Sequence, residues 1–182
     1  EDGKADVEPT DLIREVSLAK SQLRDSVQMK MDGRARLAQA YVAYDEALKK
    51  ANALDFEGLV VEAINILGHE AVVAGWRRSI GALLVDEFQD VSEAQFELLR
   101  LLVGMDGTAL TVIGDEDQSL YSWRGASVAL LTGFERHFPT GSVINLARNY
   151  RSHQGIVTPA ALLINHNEGR RDKDLSAVRP ST

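Results

Sequence analysis

The chain of 182 residues is 45% hydrophobic and 26% charged, the balance of a globular protein with room for one full domain or one plus part of another. It has no Cys, which removes disulfides, thiolate zinc sites and cysteine nucleophiles together. No apolar run approaches the roughly eighteen residues of a membrane span, the opening EDGKADVEPT shows no secretory pattern, and a reducing, cytoplasmic setting is expected. The net charge of −7 is the opposite of a basic nucleic-acid binder's, although local basic patches and aromatic platforms bind nucleic acid without it.

Thr10 or Asp11 can cap a first helix whose stripe is Leu12, Val16, Ala19 and Leu23. Residues 29–33 read as a break. A second helix follows with Leu37, Tyr41, Tyr44 and Leu48 on one face, its tyrosines read as packing residues. Nothing before Leu54 marks chemistry. Asp55 is the expected N-cap of a third helix that turns Leu59, Ala63, Ile64 and Leu67 inward. Residues 71–78 form a short fourth one with Trp76 packed.

Gly81 leads into a short apolar strand, Ala82-Leu83-Leu84-Val85, that ends in Asp86 and Glu87. Ser92 and Gln95 match the capping box of a helix carrying Phe96, Leu99, Leu102 and Val103 and stopping near Gly104. A turn at 105–107 precedes a second buried strand at 109–113. Strand, helix, strand is a βαβ unit, so the two strands are expected to be parallel with a right-handed crossover. Beyond them come a helix from about 127 to 138, a break at Pro139-Thr140-Gly141 and a third strand at 143–146. A helix opened by Ser152, with Pro159 inside it, and a loose polar tail from 168 complete the chain.

In open α/β sheets the ligand crevice lies beyond the C-terminal strand ends, where this reading puts Asp86, Glu87 and then Asp115, Glu116 and Asp117. So many carboxylates at one edge call for a cation. A strand-end Asp-Glu pair suits metal-assisted phosphoryl transfer, one carboxylate holding Mg²⁺ while its neighbour polarises the attacking water. Gln118 offers a neutral sensor, and Arg124 and Arg151 offer cations for a terminal phosphate. Tyr121, Trp123 and Tyr150 offer ring faces for stacked bases.

The stretch LVDEFQD at 84–90 resembles motif II of the UvrD/Rep/PcrA group of superfamily 1 DNA helicases. GDEDQSLYSWRGA at 114–126 resembles motif III of that group, and NYRS at 149–152 its motif IV. The resemblance covers 54–169 and implies an α/β fold, part of a RecA-like P-loop NTPase domain with a parallel sheet and flanking helices, preceded by a helical segment. The implied division is 1–53, part of a helical insertion; 54–138, the C-terminal part of a first RecA-like domain; and 139–182, the start of a second.

The same resemblance implies roles. Asp86 would bind Mg²⁺, Glu87 would activate water, and Gln118 would contact the γ-phosphate. Tyr121 and Trp123 would touch bases of single-stranded DNA, and Arg124 would couple that contact to the nucleotide. Tyr150 would stack on the adenine of ATP, and Arg151 would act as an arginine finger. The implied partner is single-stranded DNA or a single-strand/duplex junction, with movement 3′ to 5′.

The departure from the family pattern is the phosphate loop. G-x-x-x-x-G-K-[ST] is nowhere in the sequence, and Gly3-Lys4 is followed by Ala5. The adenine-reading glutamine motif and the later motifs V and VI are also missing, so the expectation is an internal piece of a larger helicase, inactive alone. One alternative parent is a RecB/AddA-like helicase–nuclease subunit. A degenerate, non-hydrolysing interaction module is another reading, against which Glu87, Gln118 and Arg151 all count. A response-regulator-like acidic pocket lacks its lysine-and-hydroxyl arrangement.

Overall fold

The computed structural model describes residues 8–104, 109–167, 171 and 173–179. Gly3-Lys4, the turn at 105–107 and much of the tail lie outside the described residues.

The chain opens with α1 (Pro9–Ser21), α2 (Ser26–Met31) and α3 (Ala35–Lys50). Pro9 stands at the start of α1, where its fixed φ is already helical and its missing N–H costs nothing. The cap position is therefore Glu8, without a side-chain bond, and the expected caps Thr10 and Asp11 lie inside the first turn. Leu23 is also displaced. The helix ends at Ser21, so Leu23 falls in the connection with φ 53° and is 38% exposed instead of on the stripe. The expected break at 29–33 begins too early, because Asp25 and Gln28 form a capping box that opens α2. Met29 is thereby carried to the centre of a core with Val16, Ala19, Leu37 and Ala38, with Leu12, Tyr41 and Tyr44 packed on it.

Asp55 caps α4 (Phe56–Leu67) as expected, accepting from the Gly58 N–H at 2.6 Å. Leu67 and Gly58 face inward, but Leu59 is 54% exposed and leaves the predicted stripe. In α5 (Glu70–Ser79) Val73 is the buried residue, and Trp76, expected to pack, is 56% exposed.

Strand β1 (Ala82–Val85) runs parallel to β2 (Ala109–Val112) in unbroken register, Ala82 opposite Ala109 and Val85 opposite Val112. Between them lies α6 (Glu93–Val103), opened by the Ser92/Gln95 capping box and closed at Gly104. The strands are not buried on both faces as predicted. Side chains alternate across a strand: Val85 and Val112 pack under Phe96 and Leu99, whereas Leu84 and Ile113 stand exposed. The core beneath the sheet is centred on Phe88, fully buried in the 3-10 turn Phe88–Asp90, with Phe96 and Phe134 edge-on to its ring at 6.2 and 5.9 Å.

The single helix predicted from 127 to 138 is two, α7 (Val128–Thr132) and α8 (Phe134–His137), divided at Gly133. The strand predicted at 143–146 is absent from those described residues, and Ile144 and Leu146 are largely exposed. Strand β3 (Arg148–His153) instead contains the NYRS stretch and pairs in parallel with β4 (Ser176–Arg179), formed by part of the tail expected to be loose. Pairing explains the displacement: the ladder begins where the Ser176 N–H meets the Ala147 carbonyl at 2.9 Å. Helix α9 (Gln154–Ile164) starts after His153 without a side-chain cap, so Ser152 is a strand residue and not a helix cap. Pro159 lies inside α9.

Candidate functional site

The C-terminal ends of β1 and β2 are adjacent, and both run directly into acidic 3-10 turns. Asp86 leaves β1 exposed, one of its oxygens accepting from the Glu87 N–H at 2.9 Å. Glu87 takes a left-handed conformation, φ 51° and ψ 42°, which is uncommon for a residue with a Cβ and clusters at functional sites. Phe88 anchors the turn from the other side, and its N–H reaches the Ile113 carbonyl at 2.9 Å. A buried aromatic thus fixes the backbone while the preceding carboxylates stay at the surface.

Gln89 joins the two strand ends. It is 1% exposed, donates from Nε2 to a Glu87 carboxylate oxygen at 2.6 Å, and accepts at Oε1 from the Asp115 N–H at 3.0 Å. Asp115 in turn accepts from the Gln118 side-chain amide at 2.6 Å and from the Asp117 N–H at 3.1 Å. Glu87, Gln89, Asp115 and Gln118 therefore form one continuous hydrogen-bonded series. Sequence reasoning singled out Glu87, Asp115 and Gln118 and missed Gln89, whose signal was a polar side chain between the buried Phe88 and a capping box.

A cation does sit among the acids after β2, and it is the ammonium of Lys173 from the tail. It pairs with Asp115, with Glu116 at 2.9 Å and with Asp117 at 3.1 Å. Burial alone would raise the Asp115 and Glu116 carboxyls, but hydrogen bonds led by that from Lys173 outweigh it and hold both below the ordinary range. Arg171 adds a backbone N–H to Glu116 at 3.0 Å and a guanidinium contact to Glu135 at 3.0 Å. The sequence of the tail does not point to this pairing, since one lysine in a mixed-charge run carries no positional signal.

Tyr121, Trp123 and Arg124 form a surface platform. The two rings lie 6.4 Å apart, and the Arg124 guanidinium stands 5.7 Å from the Trp123 ring centre, within reach of its π face. Trp123 is 63% exposed, so it is not a core residue. The loop is seated on α1: Gly125 has φ 92°, and a Cβ there would lie 2.0 Å from the Ser21 hydroxyl oxygen. Arg14, Ser17 and Leu18 of α1 and Glu57 of α4 complete a small open cleft beside Trp123 and Arg124.

Tyr150 and Arg151 lie apart from this network, on β3. Tyr150 is 65% exposed. Asn149 Oδ1 accepts from the Arg151 and Ser152 N–H groups at 3.0 and 2.8 Å, and Arg179 of β4 donates to the Arg151 carbonyl at 2.9 Å. The structure thus joins Glu87 to Gln118 and gathers Tyr121, Trp123 and Arg124, but does not bring Tyr150 and Arg151 into either group.

Oxygen donors fit a hard cation such as Mg²⁺, which binds through one or two carboxylates, waters and substrate phosphates. Asp86, exposed beside the strand end, suits that demand. No group of three or more His, Cys, Asp or Glu side chains positioned for a metal is found among the described residues, and Mg²⁺ in a phosphate site needs none. No single helix among the described residues is long and apolar enough to cross a membrane.

A parallel βαβ unit with acidic turns at adjacent strand ends defines this as a mixed α/β protein with its candidate site at the sheet edge. The chain belongs to the UvrD/REP helicase family: residues 6–139 match the UvrD/REP helicase N-terminal domain. It is 41% identical over 146 residues to the ATP-dependent DNA helicase UvrD1 of Mycobacterium tuberculosis, covering 76% of this chain and 19% of that protein. The ATP-dependent DNA helicase Rep of Escherichia coli is 44% identical over 131 residues, 71% of this chain and 19% of its own length. The helicase PcrA of Leuconostoc citreum is 37% identical over 140 residues, again 19% of its length. The chain thus spans about a fifth of the curated relatives it matches.

Proposed function

We propose that this chain supplies the water-activating and DNA-sensing part of an ATP-dependent DNA helicase of superfamily 1, which moves 3′ to 5′ on single-stranded DNA in repair or replication. The observation that carries the reading is the unbroken series from Glu87 through Gln89 and Asp115 to Gln118, found within the span that matches the family.

In this reading residues 54–138 belong to a first RecA-like domain and 139–182 open a second, with the helices of 1–53 inserted before them. Asp86 would hold Mg²⁺, which supplies charge neutralisation at the phosphates when bound. Glu87 orients and deprotonates the attacking water, its carboxylate already aligned by Gln89. Gln118 meets the γ-phosphate through a side chain held by Asp115, and reports it to the platform that starts three residues further on. Tyr121 and Trp123 stack against bases of single-stranded DNA or of a junction, and Arg124, over the Trp123 ring, links that contact to the nucleotide side. Tyr150 stacks on adenine and Arg151 meets transition-state charge once the two domains close, which accounts for their separate place on β3.

The chain alone is proposed not to hydrolyse ATP, since no phosphate loop in its sequence can hold the β- and γ-phosphates. Steady-state ATPase assays with Mg²⁺ and single-stranded DNA on this chain and on the complete helicase polypeptide test both statements. Turnover by the complete protein that Glu87→Gln abolishes is the expected result. Glu87→Gln turning over at the wild-type rate would sink the assignment, and Glu87-dependent turnover by the chain alone would sink its inactivity.

A further inference from the structure

We infer that Gln89 is a positioning residue for hydrolysis, and that its side chain sets the Glu87 carboxylate and couples it mechanically to Gln118. This rests on the reading of Glu87 as the water-activating group.

The argument begins with burial. A primary amide shut away from water has to find partners for its donors and its acceptor, and Gln89 at 1% exposure finds one of each kind on opposite strand ends. Its N–H faces a carboxylate and its oxygen faces a backbone N–H. Glutamate in its place would keep the acceptor for Asp115 and set a second carboxylate against Glu87. Methionine, of similar length, would offer neither partner. Asparagine is a methylene too short to reach both.

Glu87 itself needs such a partner. It is exposed, and its backbone is held in the left-handed region, so its carboxylate would otherwise sample several rotamers over the sheet edge. The 2.6 Å contact from Gln89 selects one of them.

Gly114 is the second observation. A Cβ at that position would lie 2.9 Å from the Gln89 Oε1, closer than Cβ atoms come, and 3.2 Å from the Gln89 N, a tight contact. The residue before Asp115 therefore has no side chain for a local reason: the Gln89 amide and, at 3.1 Å, the Leu131 Cδ2 occupy the space. Asp115 then accepts from Gln118, so a shift of Gln118 toward or away from a phosphate pulls on the same residue that Gln89 holds.

The experiment uses the complete helicase polypeptide, with Glu87→Gln as the control for the base assignment. Gln89→Met, Gln89→Glu and Gly114→Ala are compared by thermal melting and by ATPase kinetics with and without single-stranded DNA. Gln89→Met and Gln89→Glu are each expected to lower kcat by roughly ten- to a hundredfold, the scale of a misplaced catalytic group, with KM for ATP within about twofold. In combination with Gln118→Ala, Gln89→Met should subtract little further from the DNA stimulation, because both break one series. Should Gln89→Met fail to fold, Gly114→Ala, which displaces the amide without removing it, carries the same expectation.

Three results would overturn the inference: unchanged kcat in the Gln89 variants, losses of kcat and KM that merely follow a lowered Tm, or full additivity with Gln118→Ala. If Glu87→Gln itself retained turnover, the base assignment would fail and not the link alone.

Discussion

Two lysines in this molecule do the same electrostatic job on different scaffolds. Lys20, on α1, is 5% exposed and pairs with Asp45 of α3 at 2.7 Å and with Asp55, the cap of α4, at 2.9 Å. The rings of Tyr41 and Tyr44 lie 5.6 and 5.1 Å from its ammonium. Lys173 pairs with Asp115, Glu116 and Asp117, but its partners are on a 3-10 turn and it comes from the tail. In both cases burial works to lower the lysine, and hydrogen bonds to the carboxylates outweigh it and hold it above its ordinary value.

The difference lies in what holds the partners. Around Lys20 they are fixed by helices and an apolar core, so the ion cannot leave without opening the fold. Around Lys173 they sit on a 3-10 turn tied to the fold through the Gln89 amide and the Arg171 N–H, so the pairing behaves as a latch that fastens the tail to the strand end.

Breaking the first cluster should cost the most. Lys20→Met keeps the apolar stem and leaves Asp45 and Asp55 without their cation. Removing one partner of a buried pair costs about 3–5 kcal/mol, and urea unfolding should register a loss on that scale. A loss below about 1 kcal/mol would place Lys20 in the same class as Lys173 and dissolve the comparison.

Gly125→Ala probes the seam between the two regions, where the motif III loop rests on α1. A Cβ there would be in a left-handed conformation and in collision with Ser21. The expected destabilisation is about 1–3 kcal/mol, with the heat-induced change in Trp123 fluorescence beginning before the loss of helix by circular dichroism. Simultaneous loss of both signals would show that loop and helices melt as one unit.

Lys173→Met should be mildest, about 1 kcal/mol, between a surface pair and a buried one because its side chain is 18% exposed against 6% for Lys20. Acid sharpens the same contrast. Burial opposes ionisation of Asp55, Asp115 and Glu116, yet hydrogen bonds from Lys20 in the first case and Lys173 in the others hold all three below their ordinary values. A carboxyl depressed in the folded state contributes its stability above the unfolded pKa of about 4 and loses it as pH falls through the folded value. Stability should therefore drop as pH is taken below about 4, and less steeply in Lys20→Met and in Lys173→Met than in the unaltered chain. An unchanged acid slope in both variants would remove the carboxylates from the account.

What was legible in the sequence was local. The strand 82–85, the Asp55 cap, the Ser92/Gln95 capping box and the stop at Gly104 each depend on residues within a turn or two of one another. The same holds for the candidate site: Asp86, Glu87 and Gln118 follow strand ends, and Tyr121, Trp123 and Arg124 crowd one short loop. What was not legible depended on partners far along the chain. Leu59 and Trp76 carry the residue types of a core, and only the packing of α4 and α5 turned them outward. Ile144 and Leu146 form as good an apolar alternation as β1, but the available pairing edge was 148–153.

The sequence by itself determined the Asp55 and Ser92/Gln95 caps, the first strand, the acidic strand ends and the family resemblance, because propensity and hydrogen bonding over a few residues decide such features. Tertiary structure alone decided that Gln89 spans two strand ends, that Lys20 is caged by two tyrosines, and that Lys173 returns to the Asp115 turn. Each of those depends on a polar group finding partners at sequence separations of 21 to 58. No local pattern reports such a meeting, since it is the burial of both ends together that makes the pairing favourable.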